Sequence, residues 1–320
     1  MAWHDRRTGR AVAAAVLTAA LTAGLAACGA DTGPGGNAGG ADGAGSGGRL
    51  SAALDGIPAD AGGEAALTYV DVREARRLLG EDGELYGGLD GFGIPELAHV
   101  RYDGGSPRAA LGFDAADVDT SVQLTPGAAR LTGRFDVAAV TAALTKRGWK
   151  EERTGGGALL SDGPARTAVS GDVRSSTAGP ENALPPLTAP ERSVADDPAY
   201  RSVVRCLGED VFAATFYGTR PGRNLPGLTL FAIGARAGTD GSSRERLCAL
   251  TVSADGARRV TDALKPRTAE GERFAGATLR TGGGPAPMVT MEWPNRAGTG
   301  LRPGDQNRTG ELPRLLMPPR

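Results

Sequence analysis

Between residues 128 and 162 the apolar positions change their spacing repeatedly. ARLTGRF alternates as a strand does, and DVAAVTAALTKRG places Val137, Val140 and Leu144 on one helical face. WKEER and ALLSD then read as two short strands around a TGGG turn. Asp136 stands where a helix needs a cap and Gly148 where it has to stop. A similar succession recurs downstream: RERLCALTV as strand, DGARRVTDALK as helix, ATLRT as strand, TGGG as turn, MVTMEW as strand. Val140-Thr141 with Ala143-Leu144 corresponds to Val260-Thr261 with Ala263-Leu264, and the second copy carries a longer segment before its turn. Duplication and coincidence in a chain rich in Ala, Gly and Thr both explain so short a match.

The remaining pattern is more irregular. ALTYVDV reads as a strand and REARRLLG as a short helix ending at Gly80; GIPELAHV adds a helical turn, and HVRYD, RAALGFD and SVQLT read as strands. DDPAYRSVVRCLG is a marked helix with an Asp cap, Pro198 at its first position and Gly208 at its end. VFAATFYG and LTLFAIGARA are apolar strands joined by a Gly/Pro loop. Helices interspersed with sequence-local hairpins predict an α+β fold, antiparallel sheets with helices on one face, in two pseudo-repeated halves. The expected boundaries are 50–187 for the first half and 188–293 for the second, joined through the proline-rich LPPLTAPERSV. Residues 294–320 hold five prolines and an arginine every six positions from Arg296 to Arg320, which predicts a disordered Pro/Arg tail.

The first residues follow another logic. Arg6, Arg7 and Arg10 precede an uncharged, alanine-rich run over 11–27, the layout of a secretory signal, marginal in length for a permanent membrane span. Leu25-Ala26-Ala27-Cys28, with Gly29 after it, resembles the lipobox of bacterial lipoproteins. That resemblance implies a signal peptide over 1–27, a diacylglyceryl group on Cys28, and cleavage of the Ala27–Cys28 bond. Two acyl chains hold a protein stably at a membrane surface where one holds it only marginally. The expected location is therefore extracytoplasmic, anchored to the outer face of the cell membrane. Arg6-Arg7 hints at twin-arginine export, but Gly9 stands where that signal prefers a bulky apolar residue, so the route stays open. Residues 28–49 carry ten glycines after the cysteine and predict a disordered linker, with a reach on the order of 25 Å.

Without residues 1–27 the chain has three more acids than bases, which argues against a nucleic-acid binder. Arginine supplies almost all the positive charge, since lysine occurs only at 146, 150 and 265. With Cys28 acylated, Cys206 and Cys248 remain, an even pair in an oxidising compartment. A disulfide is the expectation, and two separate buried thiols are the alternative.

Candidate chemistry is sparse. His99 is the one histidine after residue 27, which excludes sites needing two imidazoles. No G-x-S-x-G elbow or phosphate-binding loop accompanies it, and GLDGFG lacks a third glycine. Asp114, Asp117 and Asp119 invite a calcium reading, but Val122 stands where the EF-hand turn needs glycine and no Glu closes the loop. Glu151-Glu152 and Asp196-Asp197 read as a solvated strand and a helix cap, while Trp149 and Trp293 read as core. DVDTSVQL, LTGRFDVAAVTAALTKRGW and ADDPAYRSVVRCLG resemble a group of uncharacterised actinomycete lipoproteins, a likeness that implies location and fold but no activity. The reading is a non-catalytic interaction or accessory module of the cell envelope, with no catalytic residue, cofactor or metal assigned. Its expected partners are membrane lipid through the acylated Cys28 and an envelope protein or small ligand. A ligand-binding lipoprotein with a cleft between the halves is the alternative, followed by a carboxylate-dependent hydrolase of envelope polymers.

Overall fold

A computed structural model of the chain describes residues 48–62, 66–89, 91, 93–94, 105–124, 127–154, 157–176, 190–218, 224–238, 241–296, 303, 310 and 311–318. The lipobox with Cys28, nearly all of the linker, His99 and most of residues 297–309 lie outside them.

Among the described residues, twelve strands form one antiparallel sheet in the order β11-β12-β10-β9-β8-β1-β2-β3-β7-β6-β5-β4. The strands are β1 (Ala66–Asp71), β2 (Val118–Leu124), β3 (Ala128–Gly133), β4 (Lys150–Thr154), β5 (Gly157–Asp162), β6 (Ala165–Val169) and β7 (Asp172–Ser176) on one side. β8 (Ala213–Tyr217), β9 (Leu228–Ala237), β10 (Ser243–Thr251), β11 (Thr278–Thr281) and β12 (Met288–Asn295) form the other. The two sides join where β1 pairs with β8, Tyr69 opposite Ala214 and Val70 opposite Ala213. The α+β class and the antiparallel pairing are those the pattern predicts.

Helices cover both faces, contrary to the one-face expectation. α1 (Arg49–Asp55) and α6 (Pro198–Leu207) pack over one, where Leu50, Leu54, Val203 and Leu207 meet Tyr69, Phe216, Ala232 and Cys248. The other carries α2 (Val72–Glu81), the short α3 (Gly83–Tyr86), α4 (Pro107–Leu111), α5 (Val137–Lys146), α7 (Ala254–Leu264) and α8 (Glu311–Leu316). The reason lies in the central strands. β8 is buried at every position from Ala213 to Phe216, and β9 from Leu230 to Ala235. Consecutive apolar residues point to opposite faces of a strand, so both faces need a cover.

The helix ends follow local chemistry. Asp136 accepts hydrogen bonds from the amides of Ala138 at 2.9 Å and Ala139 at 3.2 Å and so starts α5. Asp197 starts α6 through the Ala199 amide at 2.7 Å, with Pro198 following and Gly208 at φ +93° ending it. The residues read as strand RAALGFD instead begin as α4, because Ser106-Pro107 supplies a cap and a first helical residue, and Gly112 at φ +79° stops it.

The two similar segments do not share a strand order. In the downstream copy β12 pairs directly with β10. In the upstream copy the hairpin β6–β7 stands between β5 and β3. Residues 311–316, placed in the disordered tail by composition, form α8, whose Leu312 and Leu316 are fully buried against α7. Leu225 N also donates to Leu316 O at 2.9 Å, so this part of the tail is tied to the core. Leu312 and Leu316, four residues apart on one helical face, dock it together with an ion pair from Arg267 Nε to Glu311 Oε1 at 2.8 Å.

Candidate functional site

Among the described residues, a pocket lies between α1 and α6, an element from each side of the sheet sequence. Leu54 of α1 and Tyr200 and Val204 of α6 form a buried apolar floor, and Ala195 of the turn Val194–Asp196 also lines it. Ser51, Arg201, Arg205 and Glu209 make a polar rim around a cavity of about 400 Å³. Ser51 Oγ donates to Glu209 Oε1 at 2.5 Å, which ties the start of α1 to the loop after α6. The Tyr200 ring lies 5.5 Å from Phe216, and burial, aided by Asp197, pushes its hydroxyl above the usual tyrosine value. The volume falls within the range of small-molecule clefts, with an apolar base and a few polar groups above it.

Behind this groove the disulfide is formed. Cys206 on α6 and Cys248 on β10 are bridged, with Cα atoms 6.1 Å apart. Arg246 reinforces the contact by donating from Nη1 to the Cys206 carbonyl at 2.8 Å, and from Nε and Nη2 to Glu292 at 2.9 and 2.6 Å. Burial works to raise the Glu292 carboxyl, and Arg246, Arg236 and Arg244 more than reverse it, so it titrates below the usual carboxylate range. Arg246 thereby links β10 and β12 to the end of α6.

The other residues singled out in sequence have structural partners. Asp114 accepts from the Ala116 amide at 2.8 Å, Asp117 from the Asp114 amide at 2.9 Å, and both face Arg108 at 2.7 Å. Asp119 belongs to β2. Among the described residues no group of three or more acids, cysteines or histidines is arranged to hold a metal. Asp196 accepts from the Ser193 amide at 2.8 Å, and Glu152 is exposed on the edge strand β4. Trp149 is half-buried against the core, and Trp293 is fully buried, edge-on to Phe274 at 5.0 Å.

Two groups escaped the sequence reading. Glu245, 2% exposed, accepts a hydrogen bond from Trp293 Nε1 at 3.1 Å inside the core. On the α1 face, Arg130 and Arg174 share the single carboxylate Asp172. Neither carries a sequence signal, because both depend on which residues the strand register sets side by side. Among the described residues, no helix is long and apolar enough to cross a membrane.

No family model matches the chain. No curated protein matches it either. Among solved structures, crystal form I of TP0453 is similar to 80% of this chain and 97% of its own, at 9% identity and a TM-score of 0.40. A likeness of that degree carries no weight for the fold or the function of this chain.

Proposed function

We propose that the chain is an exported, lipid-anchored protein of the cell envelope that acts by binding, as an interaction or accessory module, and that the α1–α6 groove is its contact surface. The observation that carries the reading is the groove itself, with its apolar floor and charged rim. The tether side of the proposal rests on Leu25-Ala26-Ala27-Cys28, and the Cys206–Cys248 bridge agrees with an oxidising compartment. The described fold begins at Gly48, whose backbone lies against the Glu209 side chain on the groove's rim.

A photoreactive side chain at position 201, activated in the native membrane, tests this. One dominant protein captured there, and not from the same group at exposed Lys146 on α5, is the expected result. Equal capture at both positions contradicts a groove-specific partner.

The alternative is a small-ligand carrier, and the same groove favours it through Leu54, Tyr200 and Val204 below Arg201 and Arg205. That arrangement suits a ligand with an apolar body and an acidic group. A ligand drawn from an envelope extract that raises the melting temperature, with the rise lost in Tyr200→Ala, would shift the assignment to this reading.

A further inference from the structure

Strands β3 and β7 place Arg130 directly opposite Arg174 on the face that carries α1. Like charges opposite one another on neighbouring strands repel. Among the described residues one carboxylate answers both: Asp172 Oδ2 accepts from Arg130 Nε and Nη2 at 3.1 and 2.8 Å and from Arg174 Nη2 at 3.3 Å. The cluster therefore holds two cations and one anion.

Arg174 is the unusual member. Its side chain is 4% exposed, and its Nε and Nη1 have no hydrogen-bond partner among the described residues. Burial first, and Arg130 second, lower its proton affinity, against which Asp172 works. A guanidinium nevertheless stays protonated in proteins, and buried donors left unpaired are costly. Arg130 and Asp172 are 17% and 22% exposed, so the cluster opens to solvent on their side. Gly56, the C-cap of α1, stands against Arg130, where any Cβ would overlap the guanidinium.

We propose that Arg174 and Arg130 form a binding site for an oxyanion, a single carboxylate or phosphate group that takes the donors Asp172 leaves unpaired. Water would supply acceptor oxygens, but only an anion also neutralises the excess positive charge. Guanidinium groups match both oxyanions in shape and charge. The site uses none of the groove residues and stands independently of the proposed function.

The test uses the purified full-length chain with ¹⁵N-labelled arginine, titrated with inorganic phosphate and separately with acetate, chloride holding the ionic strength constant. The Arg174 Nε–H resonance, assigned by its loss in Arg174→Met, should shift saturably with at least one anion, and which one names the group recognised. The melting temperature should rise by about 3–6 °C at tenfold the dissociation constant, and the rise should vanish in Arg174→Met. Asp172→Asn keeps the test open if that variant does not fold: it removes the competing carboxylate and should tighten anion binding about tenfold. A resonance that neither anion moves, an equal melting rise in Arg174→Met, or weaker binding in Asp172→Asn would overturn the site.

Discussion

Removing the Cys206–Cys248 bridge should destabilise the fold by an amount that follows from its position. The two cysteines are 42 residues apart, and closing a loop of that length costs the unfolded chain about 4 kcal/mol of entropy at 25 °C. The folded side should change little. Val203, Val204 and Leu207 remain buried beneath α6, and the bond from Arg246 Nη1 to the Cys206 carbonyl does not depend on the sulfurs. Reduction is the cleanest perturbation, because Cys206→Ala with Cys248→Ala also removes volume at Cys248, which is fully buried. Guanidinium unfolding of oxidised and reduced protein should give a difference of about 4 kcal/mol, and the melting temperature should fall by about 8–16 °C. Hydrogen exchange locates the effect. If the bridge acts on the unfolded chain, the slowest amides of β9 and β10 lose protection by the same amount as those of α6. A loss below about 1 kcal/mol, or one confined to α6, would refute the argument from chain entropy.

Further outcomes follow from single contacts. Trp293→Phe should cost about 2–4 kcal/mol in chemical denaturation, since it opens a gap beside Phe274 and withdraws the indole donor from buried Glu245. Gly56→Ala should cost about 1–3 kcal/mol by displacing the Arg130 guanidinium, whereas Gly80→Ala, with open space where its Cβ would stand and a place near the end of α2, should be neutral or slightly stabilising. The depressed Glu292 carboxyl contributes stability that is fully present above its unfolded value near pH 4.5 and lost as pH falls through its lower folded value. Comparing Glu292→Gln with the parent chain across that range should therefore give a difference that shrinks as the solution becomes more acidic.

The sequence was most legible where one signal sufficed locally. Asp197-Pro198 and Gly208 bracket α6, and the apolar run Leu230–Ile233, within a stretch flanked by loops, reads as a buried strand. What such runs also imply, a cover on both faces, is written in β8 and β9 themselves. The cysteine pair could be counted before it could be seen. Elements that rely on long-range contacts were hidden. β6 and β7 are short, with Arg166, Thr167, Arg174 and Ser175 among them, and become strands because β3 and β5 offer edges on either side. α1 begins immediately after the glycine-rich stretch and is held by Leu50 and Leu54 against residues of β1 and α6. The groove needs both helices, and the Arg130–Arg174 pair needs the β3–β7 register, so neither site could be read from spacing.

The central claim is that the chain is tethered by lipid at Cys28, with its folded part outside the cell. Fractionation of cells expressing the parent chain and Cys28→Ser, followed by intact-mass and N-terminal analysis, tests it most directly. The account predicts a membrane-bound parent that begins at Cys28 and carries the added mass of a diacylglyceryl group, and a variant released from the membrane. A parent with an unmodified Cys28, or a Cys28→Ser variant retained on the membrane to the same extent, would contradict it.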